Sequence, residues 1–536
     1  MLGSVSPSCR LRAASAAIGA ALCLLLDPGA LAAQPWSDPD PRPPRERIPH
    51  GALGLELGAE LGAALAHVDE LDLADEDLTW AETRLRTEAA VDDGDRLRLV
   101  VGLDALDGVP WGLTTSGERA RLSPPRAGIG VLDVDYQGEG ARDDPRAYGP
   151  AVVTAPGATL RRAYGEAWLP FGRLRFGRQA AVAGTTLLGA DGAARTQRFG
   201  EEHGGDVVDR LELFVRPLAG LDAPPDEEER GFGVTLAYDR LDLVAPSVDA
   251  RQRLGATARL LAVFPTVEQV FDLRGTARFS WGERGAFTRE LEGVVLARVA
   301  DLSLGFDGVL REGESAAEAG SLAPLVGARP RRAWVRQWGS RSVLRWDTQR
   351  VGAYLELDTA SGDADPTPGS DLTRFVFPGD ANVGLLLFER VLAYAAARAA
   401  AADAAALADA GLPTDAADAV ATRGAFTGAV AVFPQLDVQP HRALLLRAGV
   451  LLAWAPEPLI DPLRSLEGGG SAVNLRGGAA GSYYGTEVDL RARYRYRERF
   501  FFDLEAATLT PGSALADEEG RAARATLVQG RTTVAF

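Results

Sequence analysis

The chain has no lysine: all 57 of its basic side chains are arginine, and its one methionine is the initiator. Both scarcities read as the composition bias of a GC-rich genome. Cysteine is as rare, with only Cys9 and Cys23, both inside the first 33 residues. If that stretch is removed, the mature chain has no disulfide, thiol nucleophile or thiolate metal site. The four histidines, His50, His67, His203 and His441, have no partner at metal-ligand spacing, so neither a metal nor a cofactor is expected. No glycine-rich phosphate loop leads from a strand into a helix, and Gly468-Gly469-Gly470 reads as loop punctuation. Past the N-terminus no run of ~18 apolar residues is long enough to cross a bilayer as a helix. The net charge of −17, with no basic cluster interleaved with aromatics, excludes a nucleic-acid binder.

The N-terminus reads as a secretory leader. Arg10 and Arg12 form its charged region, Ala13 to Leu26 its apolar region, and Ala30-Leu31-Ala32 a small-x-small cleavage site. A lipoprotein attachment at Cys23 is the rival reading, against which stands the bulky Leu22 before it. The expected organisation is a leader over 1–32, a Pro-rich periplasmic lead-in over 33–52, and one large domain over 53–536.

What the chain does have is alternation. From Tyr484 to Tyr496 the even positions are Tyr484, Thr486, Val488, Leu490, Ala492, Tyr494 and Tyr496. The odd positions between them are Gly485, Glu487, Asp489, Arg491, Arg493 and Arg495. A helix would mix these two sets, whereas a strand sends them to opposite faces. After a turn at Arg497-Glu498, Phe500, Phe502, Leu504 and Ala506 alternate with Asp503 and Glu505. Strands of this length exceed the usual five or six residues of soluble sheets. A transmembrane strand needs about 9–11 residues, apolar on one face and polar on the other.

The same pattern recurs along the chain. Leu53, Leu55, Leu57, Ala59, Leu61, Ala63 and Leu65 alternate with glycines and glutamates, and Phe271 to Trp281 is as regular. Hairpins close at Asp92-Asp93-Gly94-Asp95 and Pro170-Phe171-Gly172. The expected fold is all-β: a single transmembrane antiparallel barrel of about 18 strands, with 16 if one pair is miscounted. Strands are expected at 424–434 and 442–454, among others, with an inner turn at 435–441. The long connections, 107–159, 182–205 and 361–423 among them, then fall on the outer side. The connection 218–231 is long for an inner turn. The chain ends on Phe536, an aromatic ending that resembles the assembly signal of outer-membrane barrels; it implies the barrel-assembly machinery as a partner. Ala525 and Leu527 lie on the opposite parity from Val534, which calls for a bulge near Gly530.

The segments Arg162-Ala163-Tyr164-Gly165-Glu166-Ala167-Trp168 and Leu174-Arg175-Phe176-Gly177-Arg178-Gln179 resemble paired strands of alginate-export-type porins. The block Gly485-Thr486-Glu487-Val488-Asp489-Leu490, followed by Thr510-Pro511-Gly512-Ser513-Ala514-Leu515, is similar to that family's C-terminal end. The resemblance implies an 18-stranded barrel in the bacterial outer membrane whose arginine-rich lumen passes an anionic polysaccharide.

With the apolar parity facing lipid, Arg84, Arg86, Arg96, Arg98, Arg162, Arg173, Arg175, Arg274, Arg278, Arg491, Arg493 and Arg495 point into the lumen. So do Glu82, Glu166, Asp272, Glu487, Asp489, Asp503 and Glu505. Two readings stay open: a salt-bridge ladder that neutralises the wall, or an arginine track that selects anions. Asp358, Asp363, Asp365, Asp371 and Asp380 crowd an outer loop; they are ordinary solvated acids, or oxygen ligands for Ca²⁺ around Asp363 and Asp365. The Ala-rich run Ala393 to Ala410 has high helix propensity, and it either stands outside or folds back into the lumen. His67 and His203 are expected in outer loops as exposed side chains, and no enzyme is expected. The function expected is a porin-like channel for hydrophilic, anionic or oligosaccharide solutes. The alternative is a non-conducting structural or adhesive barrel.

Overall fold

The alternating segments form strands because each exposes one apolar and one polar row, and a closed sheet gives each row its own solvent. In the computed structural model the described residues are 46–50, 53–74, 77–94, 96–114, 158–181, 198–200, 207–217, 231–241, 252–264, 269–282, 286–315, 322–327, 329, 331–348, 350–365, 367, 370–378, 381–412, 420–422, 424–497 and 499–536. All of them belong to the unit Trp36–Phe536. The leader, residues 218–230, His203, Asp380 and the Glu82 side chain lie outside the described residues.

A short strand β1 (Glu46–His50) precedes the barrel strands β2 (Leu53–Asp69), β3 (Leu78–Asp92), β4 (Leu97–Thr114), β5 (Ala158–Leu169), β6 (Gly172–Ala180), β7 (Val207–Val215), β8 (Gly231–Leu241), β9 (Gln252–Phe264) and β10 (Gln269–Trp281). Then follow β11 (Phe287–Val299), β12 (Leu302–Ser315), β13 (Ala333–Asp347), β14 (Val351–Ala360), β15 (Val430–His441), β16 (Leu444–Trp454), β17 (Tyr483–Tyr496), β18 (Phe500–Pro511) and β19 (Ala525–Ala535). From β2 onward each strand pairs antiparallel with the next. β19 returns to β2, from Thr526 opposite Asp69 to Ala535 opposite Glu60. The result is a closed barrel of 18 strands. β2 overhangs the end of β19, and β1 pairs with that overhang from His50 opposite Leu53 to Glu46 opposite Leu57. An edge that β19 leaves open is thereby covered.

The outer surface is apolar. Leu99 is 62% exposed, Leu291 58% and Leu310 59%, and their neighbours on the same parity are also open. The belt gives way at one end to a row of exposed charges, Arg289 opposite Glu312 opposite Arg336. Among the described residues no helix is long and apolar enough to cross a membrane.

Several boundaries differ from the sequence reading. β15 runs to His441, beyond the expected 434, because Pro434 and Pro440 are both held within a strand. The inner turn is therefore Arg442-Ala443, between His441 and Leu444, rather than 435–441. β4 extends to Thr114 and β2 to Asp69, so His67 sits on a strand and not in a loop. Arg96 lies in the turn before β4, where its N–H donates to Asp93, and is not part of the wall. β19 keeps unbroken register past Gly530, so no bulge is present there. Ala525 and Leu527 face inward with Arg531 and Thr533 because this part of the lumen is itself apolar.

That apolar interior is built by the outer connection 361–429. Its return segment pairs Ala360 with Ala429 and Phe377 with Phe426. Before that return the connection runs through a π-helical stretch Leu387–Leu392 into helix α1 (Ala393–Asp409). Leu385, Leu386, Leu387, Phe388 and Leu392 are buried against Val68 and Trp80 of β2–β3, Leu451 of β16, Leu509 of β18 and Leu527 of β19. The π-helical stretch takes the inward placement, whereas α1 after it lies among outer connections, with Arg398 3.9 Å from Asp72. An aromatic file, Phe375, Phe377, Phe426, Phe388 and Tyr484, runs down the contact with successive centroids 4.7–6.0 Å apart.

Tyr484 is the anchor residue of that file, and its position corrects the even-parity assignment. The β16–β17 register shifts at Ala453/Trp454, and Gly485 sits at φ 138°, where a Cβ would lie 2.4 Å from the Thr510 carbonyl oxygen. The kink turns Tyr484 inward, and its hydroxyl donates to the Gly428 carbonyl at 3.1 Å.

Candidate functional site: a charged lumen divided by two inward segments

Below the apolar filling the inner wall is charged, and cross-strand pairing fixes which charges meet. On β3–β5, Asp104 accepts from Arg84 at 3.2 Å, Arg86 at 2.9 Å and Arg161 at 3.0 Å. Arg161 reaches it because β5 bulges between the pairs at Gly102 and Leu103, sending Arg161 and Arg162 to the same side. Arg98 pairs with Glu56 and Arg162 with Glu88, each at 2.8 Å.

Across the closing seam, β17 and β18 place Arg491 and Arg493 on one carboxylate. Asp503 accepts from Arg491 at 2.9 Å and from Arg493 at 2.7 Å, and Glu505 lies 3.4 Å from Arg491. All four are buried. These contacts pair both arginines across β17–β18. Arg495, one step nearer the turn, is only partly buried. Asp489 is fully buried beside Glu487. Glu487 does not join these pairs. Its carboxylate accepts the N–H groups of Leu385, Leu386 and Leu387 at 2.7, 2.9 and 2.7 Å. A carboxylate at the start of a helical segment satisfies orphan donors and complements the helix dipole. Glu487 thus docks the inward connection onto the wall.

A second inward segment was not legible in the sequence. Arg198-Phe199-Gly200, from the connection after β6, reaches the wall formed by β14–β18. The Arg198 guanidinium stacks over Tyr354 at 4.1 Å and donates to Gln435 at 2.6 Å and Asp437 at 2.8 Å. Its carbonyl accepts from Arg447 and Arg491, Gly200 N–H donates to Glu505 at 2.9 Å, and Phe199 stacks on Phe433. Periodicity carries no signal for a residue in an irregular connection.

Among the described residues, what remains open is a basic crescent along β5–β11. A cavity of about 330 Å³ there is lined by eight arginines, Arg162, Arg173, Arg175, Arg210, Arg253, Arg259, Arg274 and Arg278, against three carboxylates, Glu212, Asp239 and Glu292. The arginines are held by carboxylates of the same wall. Arg175 bonds Glu166 at 2.6 Å and Arg210 bonds Asp239 at 2.6 Å. Arg259 and Arg274 share Asp272, and Arg278 spans Glu290 and Glu292. Arg175 also lies over Tyr164, and Arg173 over Trp168. Of the arginines expected in the lumen, Arg162, Arg173, Arg175, Arg274 and Arg278 meet here. Arg210, Arg253 and Arg259 share the inward parity of their strands, so the same alternation could have found them.

Outside the lumen, His67 bridges Thr79 of β3 at 2.6 Å and Asp69 at 2.8 Å, and Thr526 of β19 donates to the same Asp69. This is a tie across the closing seam. Asp358 is a buried wall residue of β14 bound to Arg341. Asp363 accepts the N–H groups of Asp365 and Thr373, Asp365 accepts that of Thr367, and Asp371 pairs with Arg336. Among the described residues no group of three or more His, Cys, Asp or Glu is placed to hold a metal ion.

No protein-family model matches the chain, and no curated protein matches it. Solved barrels resemble it at low identity. The outer membrane protein OprD from Pseudomonas aeruginosa is 11% identical, with 90% of this chain and 93% of that one covered and a TM-score of 0.45. OccK1 (OpdK) from the same organism is 12% identical over 90% and 98%, with a TM-score of 0.44. Its structure with vanillate gives the same values, and that ligand belongs to OpdK.

Proposed function

We propose that this protein is a bacterial outer-membrane channel for hydrophilic solutes with a modest preference for anions. The observation that carries the reading is the basic crescent: eight arginines line the cavity against three carboxylates. Fixed charges of one sign in a narrow, low-dielectric passage select the opposite ion. The preference is modest because each arginine is partly neutralised and salt screens beyond about 8 Å.

The apolar outer belt supports lipid as the surrounding medium, and terminal Phe536, exposed on that belt, suits recognition by the barrel-assembly machinery. Tyr164, Trp168 and Phe214 beside Arg173 and Arg175 would favour oligosaccharides that carry carboxylates, the solute class implied by the alginate-export resemblance. Liposome swelling tests this directly. Uronate oligomers should enter faster than neutral oligomers of equal size. Liposomes that swell with neither would favour a non-conducting structural or adhesive barrel.

A further inference from the structure

Asp403 of helix α1 lies near the next outer connection, 455–482, which contains helix α2 (Pro462–Glu467). Asp403, on α1, is 0% exposed, and neither of its carboxyl oxygens has a hydrogen-bond partner. The charged groups acting on it from α2 and its cap are Asp461, Glu467 and Arg464. Asp461 is itself buried and occupied, accepting the Arg464 N–H at 3.0 Å as the cap of α2. The Arg464 guanidinium turns toward Asp461 at 3.6 Å rather than toward Asp403. On α1 itself Arg398 faces Asp72 at 3.9 Å. A buried carboxyl in that setting is stable as the neutral acid and unfavourable as the anion.

We propose that Asp403 makes the docking of α1 a proton-controlled latch, closed at acid pH and loosened as pH rises. Burial first, then the carboxylates of Asp461 and Glu467, push the Asp403 carboxyl up to about 8, against a partial pull from Arg464. Released into water the same group would titrate near ~3.9. The docked state therefore holds a proton that the released state gives up over the interval between. Docking is strongest below the lower value and weakens about tenfold per pH unit up to about 8. Above that it stays at its weakest. The latch rests on the channel reading only for its consequence, a wider passage when α1 leaves.

Amide hydrogen exchange of residues 393–409 in the reconstituted full barrel, corrected for intrinsic rates, reads docking whether or not the barrel conducts. Protection should fall by about 10³ from pH 5 to pH 8. Asp403→Asn should keep high protection across that range. Asp461→Asn keeps a capping oxygen and removes one facing charge. It should lessen the dependence, and it stands in if the first variant fails to give the heat-shifted gel mobility of a closed barrel. Protection that is flat with pH in the unaltered protein, or a response that persists in Asp403→Asn, overturns the latch. Conductance measured in parallel should rise with pH; if exchange responds and the barrel conducts at no pH, the channel reading fails and the latch stands.

Discussion

Glu487 sets the residue scale, since one wall carboxylate accepts three consecutive backbone N–H groups of the inward connection. Hydrogen bonds to a charged group contribute about 1.5–3 kcal/mol each and are not additive. Glu487→Ala should loosen the connection by about 3 kcal/mol or more, seen as larger and noisier single-channel conductance, while Glu487→Gln should fall between. Unchanged conductance in Glu487→Ala would mean the aromatic file holds the segment alone. The buried arginines make a contrasting prediction. Replacing Arg491 and Arg493 together by Gln strands Asp503 without its partners, and breaking a buried pair costs about 3–5 kcal/mol. That variant should unfold at lower urea with little change in ion preference. A large change in preference without loss of stability would return these residues to the role of an anion track.

At the scale of elements, alternation was enough to locate all 18 wall strands, because lipid on one side and a charged wall on the other leave a period-2 record. β10 and β18 are legible residue by residue. The record fails where its premise fails. Tyr484 reads as lipid-facing until the kink at Gly485 turns it inward, and Ala525 and Leu527 read as a register error because their inner neighbours are apolar. Arg198 left no trace at all: its place is set by Tyr354, Gln435 and Asp437, which are remote in sequence. Gly485 offers the test at this scale. Gly485→Ala puts a Cβ 2.4 Å from a carbonyl oxygen at a backbone angle L-residues avoid, so at least ~2 kcal/mol of strain is expected. The variant should show a lowered melting temperature and an exposed, quenchable Tyr484. Wild-type stability would show that β17 can repair its register without the bulge.

The whole molecule is a barrel whose lumen is unevenly filled. The side from β13 round to β3 takes the apolar connection and the Arg198–Gly200 segment, which among the described residues leaves the crescent on β5–β11 open. Deleting 361–429 should therefore raise conductance several-fold and also weaken ion preference, because much of the added passage is uncharged wall. Conduction through the crescent is read most plainly from the reversal potential of the purified protein in a planar bilayer under a potassium chloride gradient. A potential displaced toward the chloride equilibrium value is expected. Arg175→Gln, Arg253→Gln and Arg278→Gln combined should move it toward the potassium value, since Glu166, Asp239 and Glu290 then face the passage with fewer positive partners. A reversal potential that is cation-selective in the unaltered protein, or that does not move in the triple variant, would contradict conduction through the arginine crescent.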